Sequence, residues 1–437
     1  MADALKIGVA GLGTVGAALV RIIHERQNSL AVACGRPITV VAVSARDRTK
    51  DRGADLTGMT WYDSAAEMAR LADIDVLVEL VGGASGIARE AVEAALERGL
   101  HVVTANKALL ADCGVELASL AEDKGVLLNF EAAVAGGIPV IKAIRESLTG
   151  NNISRVYGIM NGTCNYILTR MEREGLSFDA CLKEAQRLGY AEADPTFDIE
   201  GNDTAHKLAI LTSLAFGCQI SADDIYLEGI SNITLEDIQA ASELGYRIKL
   251  LGVAQRTEGG IEQRVHPTMV PHDTVIAQVD GVTNAVALES DVLGDLLMVG
   301  PGAGGNATAS AVLGDIADIA KSRPGTQSVP ALGRPARSLE PYRRARMRSH
   351  EGGYFIRLRV VDRIGVIAAI ARQMAENQIS LESIVQHSTN GDLDQPIKTI
   401  ILVTHATTEQ SVRQAVSAIE GEGYTVAQPQ VIRIEKP

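Results

Sequence analysis

Residues 5–16 read LKIGVAGLGTVG. Leu5 to Ala10 is a short apolar run of strand type, and it passes directly into Gly11-Leu12-Gly13-Thr14-Val15-Gly16. Val15, Leu19, Ile22 and Ile23 then recur at helical spacing, so the glycines fall at a strand-to-helix turn. Gly11 permits the tight turn, Gly13 lets backbone approach a pyrophosphate, and Gly16 allows close packing of helix on strand. The helix start offers free N–H groups to the phosphates. Residues 11–16 are therefore expected to cradle a dinucleotide; a glycine turn kept for packing alone is the competing reading.

The same alternation continues downstream. Ile38 to Val43 is a second strand, and it ends in SARDRTK at 44–50. An acid there would bind a ribose 2′-hydroxyl, whereas Arg46 and Lys50 suit a 2′-phosphate. NADP(H) is favoured; NAD(H) stays open, with Asp47 on the ribose in a solvated basic loop. Ile74 to Val81, a helix from about Gly86 to Arg98, Leu100 to Thr104 and a strand at 125–131 complete a doubly wound α/β sheet. Open sheets of this kind bind ligands at the carboxyl ends of their strands, which puts Thr104 and Lys107 beside the cofactor.

Composition sets the wider limits. A chain of 437 residues exceeds one typical domain, so two or three are expected. The hydrophobic content of 46%, with 42 glycines, is that of a globular α/β protein, and aromatics at 3% leave the core to Val, Ile, Leu and Ala. The formal charge of −13 disfavours nucleic acid and anionic membrane as partners. Five cysteines without CxxC spacing, no signal peptide and no apolar run of membrane length point to a reduced, cytoplasmic protein.

Residues 189–211, GYAEADPTFDIEGNDTAHKLAIL, concentrate Glu192, Asp194, Asp198, Glu200 and Asp203 ahead of Lys207. Asp203 and Lys207 stand four apart at an apparent helix start, so carboxylate and ammonium share one face. Acids can hold a substrate ammonium, and a positioned lysine can move a proton. A solvated acidic loop followed by a surface ion pair is the plainer alternative. Between Ile230 and about Val299 the pattern reads as a helix over 235–253 with alternating strands near 260–270 and 285–292, which is an α+β mixed-sheet domain for substrate and dimerisation.

With these motifs in hand, the chain resembles homoserine dehydrogenase, in its longer bacterial form with a C-terminal ACT domain. The matching stretches are GLGTVG at 11–16, TANK at 104–107, FEAAVAGGIP at 130–139, NGTCNY at 161–166, the acidic stretch, and GPGAGGNATASAV at 300–312. The resemblance implies interconversion of L-homoserine and L-aspartate 4-semialdehyde, with Glu192 on the substrate ammonium and Asp198 and Asp203 in the same polar cluster. It implies Lys207 as proton donor or base, Lys107 orienting the reacting oxygen, and Gly304 at the cofactor. Two lysines at one oxygen should depress each other's pKa. The resemblance further implies a sodium ion held by Glu131 and the carbonyls of Val134, Gly136 and Ile138; a glycine-rich hinge without an ion is the alternative. Cys164 is read as a small packing residue rather than the nucleophile of a thioester-forming semialdehyde dehydrogenase.

The implied division is 1–134 with 301–321 for the dinucleotide, 135–300 for substrate and dimer contacts, a linker at 322–350, and an ACT-like βαββαβ unit at 351–437. Such a unit would sense an end-product amino acid, threonine, through Asp362 to Val366 facing the Asn377–Ile379 region of a second copy. A homodimer or homotetramer is expected. The reading from another class is a non-catalytic sensor of nucleotide and amino acid.

Overall fold

The computed structural model describes residues 3–322, 329–345, 351–388 and 397–435. Its first sheet is built from β1 (Leu5–Ala10), β2 (Ile38–Ser44), β3 (Thr60–Tyr62), β4 (Val76–Glu79), β5 (His101–Thr104) and β6 (Leu128–Asn129), all parallel, in the order β3-β2-β1-β4-β5-β6. This is the doubly wound order that reverses at β1 and opens a crevice there. Helices cover both faces, so β1 and β4 carry near-continuous apolar runs: Ile7, Val9, Val76 and Val78 are fully buried. The helix Gly305–Lys321 returns from far along the chain to pack on Thr14–Glu25, which closes the dinucleotide unit.

The second sheet starts with β7 (Ile153–Ile159), β8 (Tyr226–Leu227), β9 (Tyr246–Thr257), β10 (Gly260–Pro271), β11 (Thr283–Ser290) and β12 (Gly294–Pro301). Gly162–Glu174 and Asn202–Phe216 lie against it. The helix expected over 235–253 ends at Glu243 instead, and β9 begins at Tyr246. Gly245, at φ +82°, breaks the helix there. The apolar run that follows is a strand buried over most of its length, a pattern that periodicity alone cannot separate from a buried helix.

The C-terminal unit contributes β13 (Glu351–Val361), β14 (Leu381–Ser388), β15 (Ile397–Thr404), β16 (Thr407–Thr408) and β17 (Gln430–Ile434), with helices Val366–Glu376 and Glu409–Gly421 on one face. Tyr354, Ile356, Leu358 and Val360 face those helices, while Phe355 turns the other way into the main core. These strands continue the second sheet. β17 pairs in parallel with β10 and antiparallel with β13, giving the path β12-β11-β7-β9-β10-β17-β13-β15-β14 among the described residues.

Buried charges reinforce this junction. Arg357 on β13 donates to both oxygens of Asp237 at 2.6 and 3.1 Å, and Glu435 accepts from Arg155 and Arg264 at 2.7 and 2.9 Å. Residues 329–345, read as linker, run along the catalytic half: the Ala336 N–H donates to Glu122, and Glu340 and Arg344 bridge Cys218 and Ile261.

Candidate active site

Three helix starts converge on one carboxylate. Lys107 opens the helix Lys107–Lys124 at the carboxyl end of β5, capped by Asn106, whose side chain accepts from the Leu109 N–H at 3.1 Å. The Asn106 amide also donates to the Gly83 carbonyl at 2.8 Å, which ties down the loop after β4. Asn161 caps Gly162–Glu174 in the same way, accepting from Cys164 N–H at 2.8 Å. Gly201, at φ +88° and with no side-chain cap of its own, starts Asn202–Phe216 and puts Asp203 in the first turn, where the helix dipole favours an acid.

Asp203 is buried, and both its oxygens are engaged. Oδ1 lies 2.9 Å from Lys107 Nζ and Oδ2 lies 2.7 Å from Lys207 Nζ. Lys207 also donates to the Met160 carbonyl at 2.7 Å. The Asn161 amide donates to Asp203 Oδ2 and to Asp198 Oδ1, each at 2.8 Å, so one cap residue joins the two acids. Thr163 supports the same loop, its hydroxyl donating to the Tyr190 carbonyl at 2.7 Å.

Electrostatics follow from this geometry. Burial alone would raise Asp203, but the charges and hydrogen bonds of Lys207 and Lys107 hold it well below the usual carboxylate range. Asp198, half-buried and beside the Asp203 charge, is pushed up. Burial pulls Lys107 down, yet Asp203, Asp198 and Glu192 outweigh it and leave its pKa raised. The expected depression does not hold at Lys107 for a plain reason: an anion stands between the two amines. Glu192 is exposed, near enough to act on Lys107 by charge.

Cys164 is fully buried, donates to the Asp198 carbonyl at 3.2 Å and has its thiol pushed far up by burial and the nearby acids, which suits packing and not a thiolate nucleophile. Asn161 and His206 were missed by residue-type reasoning. His206 sits edge-on to Phe197, and its pKa is lowered by burial and by Lys107. The helix-start pattern Asn161-Gly-Thr was a legible cap; nothing local to His206 marked it.

At the glycine turn, a Cβ on Gly16 would lie 2.0 Å from the Gly11 carbonyl, and one on Gly11 would lie 2.5 Å from that of Leu80. Space around Gly13 is open, and the helix it starts has no side-chain cap. Gly304 likewise starts an uncapped helix, and Gly305 packs against Thr14, so the two turns face one crevice. Thr104 is fully buried, its hydroxyl donated to Glu79 at 2.6 Å; any contact it makes with a cofactor falls to its main chain. Glu79 also accepts from the N–H groups of Val81 and Gly82, shaping the loop beside the crevice. Arg46 and Lys50 are exposed, and neighbouring Arg48 and Arg52 lie 5.8 and 5.6 Å from the Trp61 ring. Arg52 donates to the Leu12 carbonyl at 3.2 Å, which links the basic loop to the glycine turn.

Glu131 is buried, and its two oxygens accept from Ile141 and Lys142 N–H groups at 2.8 Å. Val134, Gly136 and Ile138 are buried beside it, with Ala135 and Gly136 in a left-handed turn at φ +55° and +50°. Among the described residues there is no cluster of three or more Asp, Glu, His or Cys side chains able to hold a metal ion, and no helix is long and apolar enough to cross a membrane.

A parallel sheet with a glycine cradle at its switch point, and lysines facing acids at the strand ends, defines a nicotinamide-dependent oxidoreductase of a small polar substrate. Family models for homoserine dehydrogenase, its NAD-binding domain and the ACT domain match residues 139–317, 11–131 and 354–423. A homoserine dehydrogenase of Pseudomonas aeruginosa is 45% identical over 99% of both chains. The crystal structure of one from Thiobacillus denitrificans has a TM-score of 0.92 at 44% identity, covering 99% of this chain and 98% of that one. A hyperthermophilic archaeal homoserine dehydrogenase solved with NADPH has a TM-score of 0.62 at 29% identity, over 72% of this chain and 96% of that one. The chain belongs to the homoserine dehydrogenase family, NAD(P)-dependent oxidoreductases, and ends in an ACT domain.

Proposed function

We propose that in the interconversion of L-homoserine and L-aspartate 4-semialdehyde Lys207 moves the proton, Lys107 orients the reacting oxygen, and Glu192 with Asp198 holds the substrate ammonium. The observation that carries this reading is the Lys107–Asp203–Lys207 bridge, which brings one amine from each lobe to one point. The nicotinamide, when bound, supplies or accepts the hydride. In the reducing direction a protonated lysine gives its proton to the carbonyl oxygen; in the oxidising direction the neutral amine takes the hydroxyl proton. Asp203 keeps both side chains oriented and favours the charged form of Lys107. Assaying homoserine with NADP⁺ in Lys207→Ala tests this: retention of near-normal turnover sinks the assignment.

The fit to a dinucleotide rests on the open Gly13 position and the uncapped helix starts after Gly13 and Gly304. NADP(H) is the preferred form in this reading, with Arg46 and Lys50 on the 2′-phosphate and Arg48 and Arg52 braced on Trp61 beside them. Sodium is the proposed cation at Glu131 with the carbonyls of Val134, Gly136 and Ile138. Supporting it are the hard oxygen donors and the burial of Glu131 next to Asp315, whose Oδ1 has no partner and whose pKa is pushed up to about 8.

Threonine is the proposed effector, at a cavity of about 520 Å³ lined by Asp362, Gly365 and Gln386. The proposed domains are 1–134 with 301–321, 135–300, and 351–437 after the 322–350 segment. A homodimer or homotetramer fits the exposed Val275 and Val299 beside an apolar cavity on the second sheet. Buried free cysteines suit a reducing cytoplasm.

A further inference from the structure

A buried ammonium lies behind the turn that follows β7, outside the Lys107–Asp203–Lys207 bridge. The pairing of β7 with β9 stops at Gly158 and Gly252. From there the chain turns through Met160 and Asn161 into the helix Gly162–Glu174, and among the described residues Tyr246 to Leu251 keep only β10 as a strand neighbour. Lys249 stands in that part of β9 and is 1% exposed. Its ammonium donates to the Val279 carbonyl at 2.6 Å and to Asn165 Oδ1 at 3.3 Å, with Asp280 Oδ1 at 3.4 Å. Three donors thus meet three oxygens.

Asn165 is in the first turn of that helix and is equally buried. Its amide nitrogen faces the carbonyls of Val279, Gly281 and Thr283 at 3.1, 3.0 and 3.3 Å. One turn on, the Thr169 hydroxyl donates to the Asn165 carbonyl at 2.7 Å and accepts from the Gly281 N–H at 3.2 Å. The same loop meets the helix start directly, since a Cβ on Gly162 would lie 2.9 Å from the Val282 carbonyl. Residues 279–283 therefore back the turn that carries Met160 and Asn161. The front of that turn is the active site: the Met160 carbonyl accepts from Lys207, and the Asn161 amide joins Asp198 to Asp203.

Stability alone is a poor reason for an ammonium in this place. Burial pulls the Lys249 pKa down against the pull of Asp280, and an apolar side chain of similar volume often serves a fold as well as a buried ion does. What the ammonium adds is direction. It can only donate, so the Asn165 oxygen has to face it and the amide N–H groups have to face the loop. Reversed, that amide would set its oxygen against three carbonyls and release the helix start. We propose that Lys249 and Asn165 are positioning residues for the dehydrogenase reaction, which lock the turn Met160–Gly162 so that it holds Lys207, Asp203 and Asp198 in register. Both act through the turn, so their loss lowers kcat for homoserine and spares the cofactor, whose glycine cradle belongs to the other sheet. This rests on the roles proposed for Lys207 and Asp198.

Initial rates of homoserine oxidation in Lys249→Met, Asn165→Asp and the double variant test this, each rate referred to cofactor sites counted by NADPH fluorescence titration so that unfolded chains do not contribute. In each single variant kcat is expected to fall about tenfold, with the KM for NADP⁺ within about twofold of the parent. Because the two residues act as one chain, the double variant is expected to stay within about twofold of the slower single variant. Arg173→Gln, which breaks only the exposed end of the Asp280 network, leaves kcat at the parental value. Asn165→Asp is near-isosteric and decides the matter should Lys249→Met fail to bind cofactor. The proposal is overturned if Asn165→Asp keeps the parental kcat, if Arg173→Gln loses as much, or if the two losses multiply in the double variant. Lys207→Ala, assayed alongside, separates the two readings: parental turnover there removes the proton-transfer assignment, whereas its loss beside a parental kcat in Asn165→Asp removes only the positioning role.

Discussion

At Asp203 a single buried carboxylate restrains two ammonium groups, and its removal separates orientation from charge. Lys207→Ala should lower kcat about 10²- to 10⁴-fold with NADP⁺ binding intact, read by fluorescence titration of the cofactor. Homoserine oxidation needs a neutral lysine, so its rate should climb through the alkaline range. Asp203 raises Lys107, so Asp203→Asn should lower the pKa of the Lys107 ammonium, read by an NMR titration of its side chain. Asp315 titrates with the opposite sign. Burial and the nearby Glu131 charge lift it to about 8, while unfolded it ionises near about 4. The stability tied to its proton is complete below about 4 and is lost as pH rises toward 8. In sodium-free buffer Asp315→Asn should have a higher Tm than the parent at pH 8, with the gap closing toward pH 5. Sodium, against choline at equal ionic strength, should raise the parent's Tm at pH 8; no difference between the salts would remove the cation.

Among the elements, the turn at Gly11–Gly16 was fully legible, because a strand, three glycines and a helix in that order have one mechanical use. The acidic stretch was legible in part. The i,i+4 pair of Asp203 and Lys207 follows from helical spacing, but the arrival of Lys107 from another domain does not. Asn161 illustrates the same limit: its capping of Cys164 is local, whereas its bridge from Asp198 to Asp203 spans 37 and 42 residues. The first part of the strand Tyr246–Thr257, as far as Val253, reads as helix because burial on both faces erases the two-residue alternation. In the loop after β2, Arg48 and Arg52 stack on Trp61 at a distance in sequence that no motif marks. Replacing Arg46 and Lys50 together with alanine should raise the KM for NADP⁺ about tenfold or more and leave that for NAD⁺ nearly unchanged, measured in parallel initial-rate assays.

For the molecule as a whole, the C-terminal unit was readable as βαββαβ, but its fusion to the catalytic sheet was not. The β10–β17 pairing joins Thr268 to Arg433 and Met269 to Ile434, and no local pattern encodes which edge receives which strand. The Arg357–Asp237 pair seals that junction from inside, with Asp237 also capping Leu235–Glu243. Arg357→Ala leaves the Asp237 carboxylate buried and unpaired, and should cost about 3–5 kcal/mol in urea unfolding. Because the second domain and the C-terminal unit contribute strands to one sheet, calorimetry of the full chain should show them melting in one transition, not two.

The strand that joins the halves is also the last of the described strands to be made. While the ribosome works, every other strand of the long sheet is available before β17, and the Thr268–Met269 end of the β10 edge, beyond the part covered by β8 and Arg344, stays open until Gln430–Ile434 emerges. An unpaired edge is a template for a neighbouring chain. Nascent or prematurely terminated copies are therefore exposed to edge-to-edge aggregation at β10 until those final residues arrive.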